Sequence, residues 1–415
     1  MNILFVHQDF PGQFRHLVRV LAQEGGHHIV ALGIQPLGEE LPKNVTYIRY
    51  GISRANTPNI HDWVFETETK VIRGEACAEK AHQLKQQGFR PNIICAHPGW
   101  GESLFLKDIW PDTPLLSYQE FYYHASGYDN DFDSEIQQQA SWKDACNIRM
   151  KNSFIQQSLH ASDWNITPTQ FQRDSFPAHW KSAFSTIHDG IDSINATPNP
   201  QVGSLTLIDG TCLKPGDPTV TYVNRAMEPY RGCHTMLRAI PQIQKEYPDA
   251  RVVIVGDTKG RSSYGPKPIE GSWCERFLKE IEGSYDPSRV HFTETISHRN
   301  YLHLLQLSAA HVYLTYPFVL SWSLLEAMSS GCAVVGSNTP PVEEVVKHNH
   351  NGLIVDFFNA NDVANSVILL LKQPTLAKQF GNNARQTILQ HYSVQSCTSR
   401  QLGLLRLVSS KSVIS

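Results

Sequence analysis

The chain has 415 residues, with 36 Lys and Arg against 39 Asp and Glu, and 41% of its side chains are hydrophobic. That balance is too apolar for a disordered chain, and at about 150 residues per domain the length excludes a single small module and points to two large domains or three small ones. No run reaches the roughly 18 to 20 apolar residues of a membrane span, the opening MNILFVHQDF lacks the features of a signal peptide, and no basic tract points to nucleic acid, so a cytoplasmic protein is expected. The 8 Cys are scattered singly, with no C-x-x-C, which favours free thiols over a zinc site or disulfide framework.

Taken in chain order, an apolar run at 2–7 leads to a turn at Pro11-Gly12, an amphipathic segment to about Glu24 and a second run at 28–33. This reads as strand, loop, helix, strand. Short β-rich runs follow at 45–50, 92–97, 114–120 and 185–188, separated by helical-period stretches at 68–87 and 142–162. Strands alternating with helices imply a parallel sheet, because a parallel pair needs a crossover. Residues 193–218, rich in Pro and Gly, read as a linker. The rhythm then repeats at 220–224, 251–255, 290–293, 311–316, 332–336 and 353–356. A strandless helical stretch from about 375 to 407 is long enough to cross back to the first domain. The expected fold class is α/β, with two Rossmann-like doubly wound domains facing a cleft: 1–200, 201–390, and a C-terminal helix in 391–415 packed on the first. Open sheets of this kind bind ligands outside the carboxyl ends of their strands.

Four loops carry the candidate chemistry. In the first, a strand ends near Pro317, Ser321 is suited to cap a helix from Trp322 to about Ser330, and Gly331 ends it. The helix start offers backbone N–H groups to an anion, placing Leu320, Ser321, Trp322 and Ser323 beside a phosphate, with Phe318 and Val319 just before them as further candidates for the same site. Glu326, just over a turn inside, could accept hydrogen bonds from two vicinal hydroxyls; the ordinary alternative is a solvated helix glutamate. In the second loop Arg225 and Arg231 flank a turn and could neutralise a diphosphate, although two surface arginines would look the same. The third, Gly256-Asp257-Thr-Lys-Gly260, would admit a nucleotide near the backbone, or is a plain βα turn. The fourth set lies in the first half: Gly12, His97, and Glu120 with His124, polar groups beside glycines and aromatics that suit carbohydrate. The 19 His show no metal spacing, and the acidic run 129–133 reads as a solvated loop.

Together these residues resemble the GT-B glycosyltransferases of family 4, retaining enzymes that move a sugar from a nucleotide-diphosphate donor, and the opening and Tyr316-Pro-Phe-Val-Leu-Ser-Trp-Ser-Leu-Leu-Glu326 segments look like a bacterial subgroup. The resemblance covers essentially the whole chain. Its most specific pieces are Leu324-Leu-Glu-Ala-Met-Ser-Ser-Gly-Cys-Ala-Val-Val-Gly-Ser337, Arg225 with Glu-Pro-Tyr-Arg231-Gly, and Ile187-His-Asp-Gly-Ile-Asp192. It implies that Glu326 holds the donor ribose, that Arg225 and Arg231 stand on the diphosphate, and that no metal or other cofactor is needed. Two departures stand out. Phe318 occupies the place of the motif's first glutamate, and Glu120 stands where many members have a histidine that meets the donor sugar, leaving Glu120 and His124 as alternatives for that role. The implied partners are a UDP- or GDP-sugar and a glycan, lipid-linked or small-molecule acceptor, in polysaccharide biosynthesis, with peripheral contact at the inner membrane surface left open. Rival readings are a same-fold epimerase or phosphorylase, and a non-catalytic nucleotide-sugar or glycan binding protein.

Overall fold

The computed structural model describes residues 1–137, 141–261 and 263–410. The chain forms two compact units, the first from Met1–Asn130, a segment ending at Gly190, and the chain from Val394 onward, the second from a short segment beginning at Asp131 and from Ile191–Ser393.

The first unit is built on seven parallel strands: β1 Asn2–Val6, β2 His28–Gly33, β3 Val45–Arg49, β4 Ile93–Ala96, β5 Leu115–Tyr118, β6 Trp164–Thr167 and β7 Phe184–Thr186. Their order is β3-β2-β1-β4-β5-β6-β7. Strands covered on both faces need apolar residues at every position, and Ile3, Leu4, Phe5 and Val6 are all fully buried. One face packs against Leu17, Val18 and Leu21 of helix Arg15–Glu24, and against Leu402, Leu405 and Val408 of the last helix, Val394–Ser410. Arg406 of that helix reaches Glu24 (2.9 Å).

Two features of this unit differ from the sequence expectation. The stretch 142–162 is two helices, Trp142–Lys151 and Ser153–Ala161. Between them, Asn152 accepts from the Tyr123 N–H (3.0 Å) and donates to the Tyr123 carbonyl (2.8 Å), which pins the break. Strand β6 has only four residues and includes a buried Asn165, so its apolar signal is weak.

The second unit has a six-stranded parallel sheet from β10 Thr219–Ala226, β11 Arg251–Asp257, β12 Val290–Thr293, β13 Ala310–Tyr313, β14 Val334–Ser337 and β15 Leu353–Val355, in the order β12-β11-β10-β13-β14-β15. Before it lies a small antiparallel hairpin, β8 Leu205–Thr206 with β9 Cys212–Leu213. Residues 193–218 are therefore part of this unit rather than a free linker. Prolines and glycines interrupt regular structure there, yet Ala196, Leu205, Leu207 and Leu213 still enter the core, and the Ser329 hydroxyl donates to the Ala196 carbonyl (2.6 Å). The chain passes from the first unit to the second at Gly190 and returns at Val394. The terminal helical stretch is two helices, Pro374–His391 in the second unit and Val394–Ser410 in the first.

The acidic run 129–133 is not a solvated loop. Asp129 is buried, and Asp133, in the second unit, is 0% exposed. Phe132 packs against Tyr316 and Phe357 with ring centroids 5.1 Å apart in each case. The Asp133 carboxylate accepts from the Tyr316 hydroxyl (2.6 Å) and stands 3.3 Å from His234 Nε2. Glu135 forms a two-pronged ion pair with Arg238 (2.8 and 2.6 Å). An aromatic neighbour and specific donors make burial of the carboxylate tolerable, where a run of acids alone would stay in water. Removing one of those donors by Tyr316→Phe leaves the charge short of a partner and should lower the stability of the second unit by about 1.5–3 kcal/mol. Urea unfolding read by near-UV circular dichroism checks this, and an unchanged midpoint would contradict it.

Candidate functional site

Each large sheet has a point where the chain leaves its first strand towards opposite sides: β1 lies between β2 and β4, and β10 between β11 and β13. The loops after those strands open a crevice at their carboxyl ends, the usual ligand position in such sheets. The candidate residues concentrate at these two points.

In the second unit, Arg225 is the second-last residue of β10, and a short helical turn, Pro229–Arg231, brings Arg231 back against the sheet. Gly232 then takes a left-handed conformation (φ 70°) with its Cα pressed against Leu314, where a side chain would collide. Arg231 is 7% exposed, and its Nη1 donates to Thr315 Oγ1 (2.8 Å), with Tyr313 Oη and the Val319 carbonyl each at 3.4 Å. These are neutral acceptors. Among the described residues no carboxylate forms an ion pair with Arg231 or with the exposed Arg225. Arg225 Nη1 lies 3.4 Å from the Tyr264 hydroxyl, and the Tyr264 ring is 5.7 Å from the Arg225 guanidinium and 5.6 Å from that of Arg231.

Phe318 is buried against Tyr230 and Tyr264, both 5.9 Å away. After it, Leu320 enters the core and Ser321 caps helix Trp322–Ser329, accepting from the Ser323 N–H (3.2 Å), while the Ser321 N–H donates to Tyr313 Oη (3.0 Å). Glu326, largely buried, lies 2.9 Å through Oε1 from His298 Nε2. The structure thus brings Arg225, Arg231, Phe318, Val319 and the cap at Ser321 around one crevice. It also adds Tyr264 and His298, which carried no signal in the sequence beyond a glycine-flanked loop and the start of a short helix.

Gly256 and Asp257 shape the neighbouring loop. A side chain at Gly256 would meet the Asn224 carbonyl. The Asp257 carboxylate is engaged by its own loop, accepting from the N–H groups of Lys259 (3.0 Å) and Arg261 (2.6 Å) and from Arg261 Nε (3.2 Å). Burial pushes the Asp257 carboxyl up, but these bonds and the Arg261 charge outweigh it and hold it below the usual carboxylate range. Glu228 moves the other way. Burial pushes its carboxyl up even though it accepts from the Tyr264 and Gly265 N–H groups (2.7 and 3.1 Å) and feels both arginines.

In the first unit, Gly12, His97 and Glu120 come together with two residues the sequence reading passed over, His7 and Gln13. Gly12 (φ 47°) lies flat against the His7 ring. His7 Nε2 is 2.7 Å from Gln13 Oε1, and Gln13 Nε2 donates to Glu120 Oε1 (2.9 Å). His97, 1% exposed, stacks between Trp100 (4.6 Å) and Tyr118 (5.3 Å), with its Nε2 3.8 Å from Glu120 Oε1, an ionic approach longer than a hydrogen bond. Burial and the neighbouring His97 push the His7 imidazole down to about 3, so it is neutral. Burial pushes Glu120 up, but His97, His7 and Gln13 together leave its carboxyl below the usual range. The available signal for His7 and Gln13 was their position on either side of the Pro11-Gly12 turn. His124 is not in this group. Its Nε2 is bonded to the Ser175 carbonyl (2.7 Å), and its ring stacks on Tyr128 (4.1 Å). Among the described residues no group of three or more His, Cys, Asp or Glu gathers as a metal site, and no helix is long and apolar enough to cross a membrane.

Comparison with known proteins adds a family to this geometry. The model of the glycosyl transferase family 4 group matches residues 25–195, and that of the glycosyl transferases group 1 matches 209–387. The chain is similar to glycogen synthase of Mycobacterium tuberculosis, 22% identical over 424 aligned residues that cover 95% of this chain and 92% of that one. It is also 25% identical to an uncharacterized glycosyltransferase of Methanocaldococcus jannaschii over 165 residues, 40% of this chain and 39% of the relative. Among solved structures, sucrose-phosphate synthase from Thermosynechococcus elongatus superposes with a TM-score of 0.72 at 16% identity, covering 99% of this chain and 100% of that one. Alr3699/HepE of Anabaena, solved in complex with UDP, gives 0.67 at 14% identity, covering 98% and 100%. At these identities the structures share the fold with this chain.

The Asp257 geometry has a consequence for stability. A carboxyl held low in the folded state stabilises it above the ordinary carboxylate range, and that contribution is lost as pH falls through the lowered folded value. Urea unfolding of the second unit across a pH series should therefore show a decline from about pH 4 downward that is shallower in Asp257→Asn than in the parent protein. Equal slopes would refute the assignment.

Proposed function

Because the chain belongs to the family-4-like glycosyltransferases of GT-B fold, we propose that it transfers a sugar from a nucleotide-diphosphate donor, UDP- or GDP-linked, to a hydroxyl of a glycan, lipid-linked or small-molecule acceptor, with retention of anomeric configuration. The observation that carries this reading is Arg231, a nearly buried guanidinium whose protein partners are all neutral. A buried cation with no ion-pair partner is costly; Glu228 lies within its field but accepts from the Tyr264 and Gly265 N–H groups, and an anionic ligand in the crevice would supply the direct partner. Arg225 and the positive end of helix Trp322–Ser329 stand beside it, so the anion fitted by the group is a diphosphate. The Anabaena relative solved with UDP and with UDP-glucose supports a donor of this kind.

In this reading Glu326 accepts hydrogen bonds from the ribose hydroxyls, with His298 holding one of its oxygens. As the anomeric bond loosens, negative charge grows on the departing phosphate, where Arg225, Arg231 and the helix start stabilise it; preorganised donors of this sort are often worth about 3–4 kcal/mol each in the barrier. The acceptor hydroxyl attacks on the face the phosphate leaves, and its proton passes to the leaving phosphate oxygen. No protein nucleophile is required, and the guanidiniums carry the charge that a metal would otherwise neutralise. The first unit, with Gly12, His97 and Glu120 at its crevice, takes the acceptor. His124, tied to the Ser175 carbonyl, serves structure in this scheme.

Nucleotide release from a panel of UDP-, GDP- and ADP-sugars tests the activity, and proton NMR of the product reads the anomeric configuration. With the true donor identified, Arg231→Met should weaken nucleotide-diphosphate binding about 10- to 100-fold, and Glu326→Ala about 10-fold, by calorimetry. Parent-like affinity and turnover in both variants would overturn the assigned roles.

A further inference from the structure

Behind the Glu120 carboxylate the hydrogen bonds run in one direction. The Asp9 backbone N–H donates to His7 Nδ1 (2.9 Å), so neutral His7 carries its proton on Nε2. That proton is given to Gln13 Oε1 (2.7 Å), which turns the amide so that its NH2 group faces Glu120 and donates to Oε1 (2.9 Å). Each link is fixed by the one before it, and the first is a backbone N–H, which cannot be reversed. On the other side, the Gly99 N–H donates to His97 Nδ1 (3.1 Å), which leaves Nε2 as the ring nitrogen nearer Glu120 Oε1, 3.8 Å away and beyond a hydrogen bond. The Glu120 backbone is held as well, because Gln172 Nε2 donates to its carbonyl (2.9 Å). One amide thus donates to one oxygen of the carboxylate, with the His97 ring beside it at 3.8 Å. The other oxygen, Oε2, has no hydrogen-bond partner among the described residues, and the side chain is 38% exposed.

A carboxylate whose inner oxygen accepts from a fixed amide, and whose outer oxygen accepts from no described residue, presents an acceptor outward. It repels a phosphate or another carboxylate and takes a hydroxyl. We infer that Glu120 Oε2 reads one hydroxyl of a neutral sugar acceptor, and that Gln13, with His7 behind it, is a positioning residue that holds the carboxylate for that contact. This rests on the glycosyl-transfer reading above and adds to it the class of group met at the first unit's crevice. No proton leaves the hydroxyl in this contact. Its role is to orient and select the acceptor.

The experiment compares transfer to methyl glycosides and to their mono-deoxy analogues with hydrolysis of the same donor in the absence of acceptor. In the parent protein one deoxy analogue should be poorer by about tenfold or more. In Glu120→Ala transfer should fall by a similar factor relative to hydrolysis, and that deoxy analogue should become equal to its parent glycoside. Gln13→Leu should raise the acceptor KM several-fold with a smaller effect on kcat, and Gln13→Glu, which replaces the donor with a second carboxylate, should raise it more. Glu120→Gln, which keeps the side-chain shape, serves if the alanine variant fails to fold. Calorimetry with the glycosides, in the presence and absence of UDP, repeats the comparison without turnover. If glycosides bind with this selectivity while no nucleotide binds, the donor reading fails and this one stands. If Glu120→Ala weakens every deoxy analogue equally, if hydrolysis falls in step with transfer, or if Gln13→Leu matches the parent protein, the inference is wrong.

Discussion

Parallel strand pairing is the constraint from which the rest follows. Two parallel neighbours cannot be joined by a tight hairpin, so each strand must be followed by a crossover that returns the chain to the same starting edge. All loops that follow strands then emerge at one edge of the sheet, and residues far apart in sequence meet there. Arg231 after β10 meets Thr315 and Val319 after β13 for this reason. His7 and Gln13 after β1 meet His97 after β4 and Glu120 after β5 by the same geometry. Both large sheets of this chain repeat the device, with a switch in chain direction beside the first strand of each.

The two crevices are electrostatic opposites. In the second unit a guanidinium is taken out of water with only neutral hydrogen-bond partners, so it lacks a direct anionic partner. In the first, a carboxylate is held by one amide donor on its inner oxygen, and its outer oxygen accepts from no described residue. Each deficiency is costly to the isolated fold and is met by a ligand of matching chemistry. A nucleotide diphosphate suits the first deficiency and a sugar hydroxyl the second. The pair of requirements accords with the proposed sugar transfer.

Two other acids meet their own chain instead of being left open. Asp133 is wholly buried, but Tyr316 and His234 surround it within the second unit. Asp257 is satisfied by the loop that follows it. The contrast separates structural acids from those left open to a ligand, a distinction that the identity of a residue does not make.

Local pattern carried much of the architecture. The alternation of short apolar runs with helical stretches gave two parallel-sheet units, because a strand buried on both faces must be apolar throughout and a crossover helix must be amphipathic. It also located the capped helix at Ser321 and the glycine at 331 that ends it, since caps and chain reversals have residue requirements of their own. What it missed lay in long-range contacts. A four-residue strand with a buried Asn, a proline-rich stretch that enters a core, and an acidic run that is buried all depend on neighbours elsewhere in the chain. Tertiary structure alone decided that Gln13 meets Glu120, 107 positions away, that His298 meets Glu326, and that His124 does not share the site with Glu120. Periodicity and capping are set within a few residues of chain, whereas the partner of a buried polar group is set by the sheet order that brings distant loops to one edge.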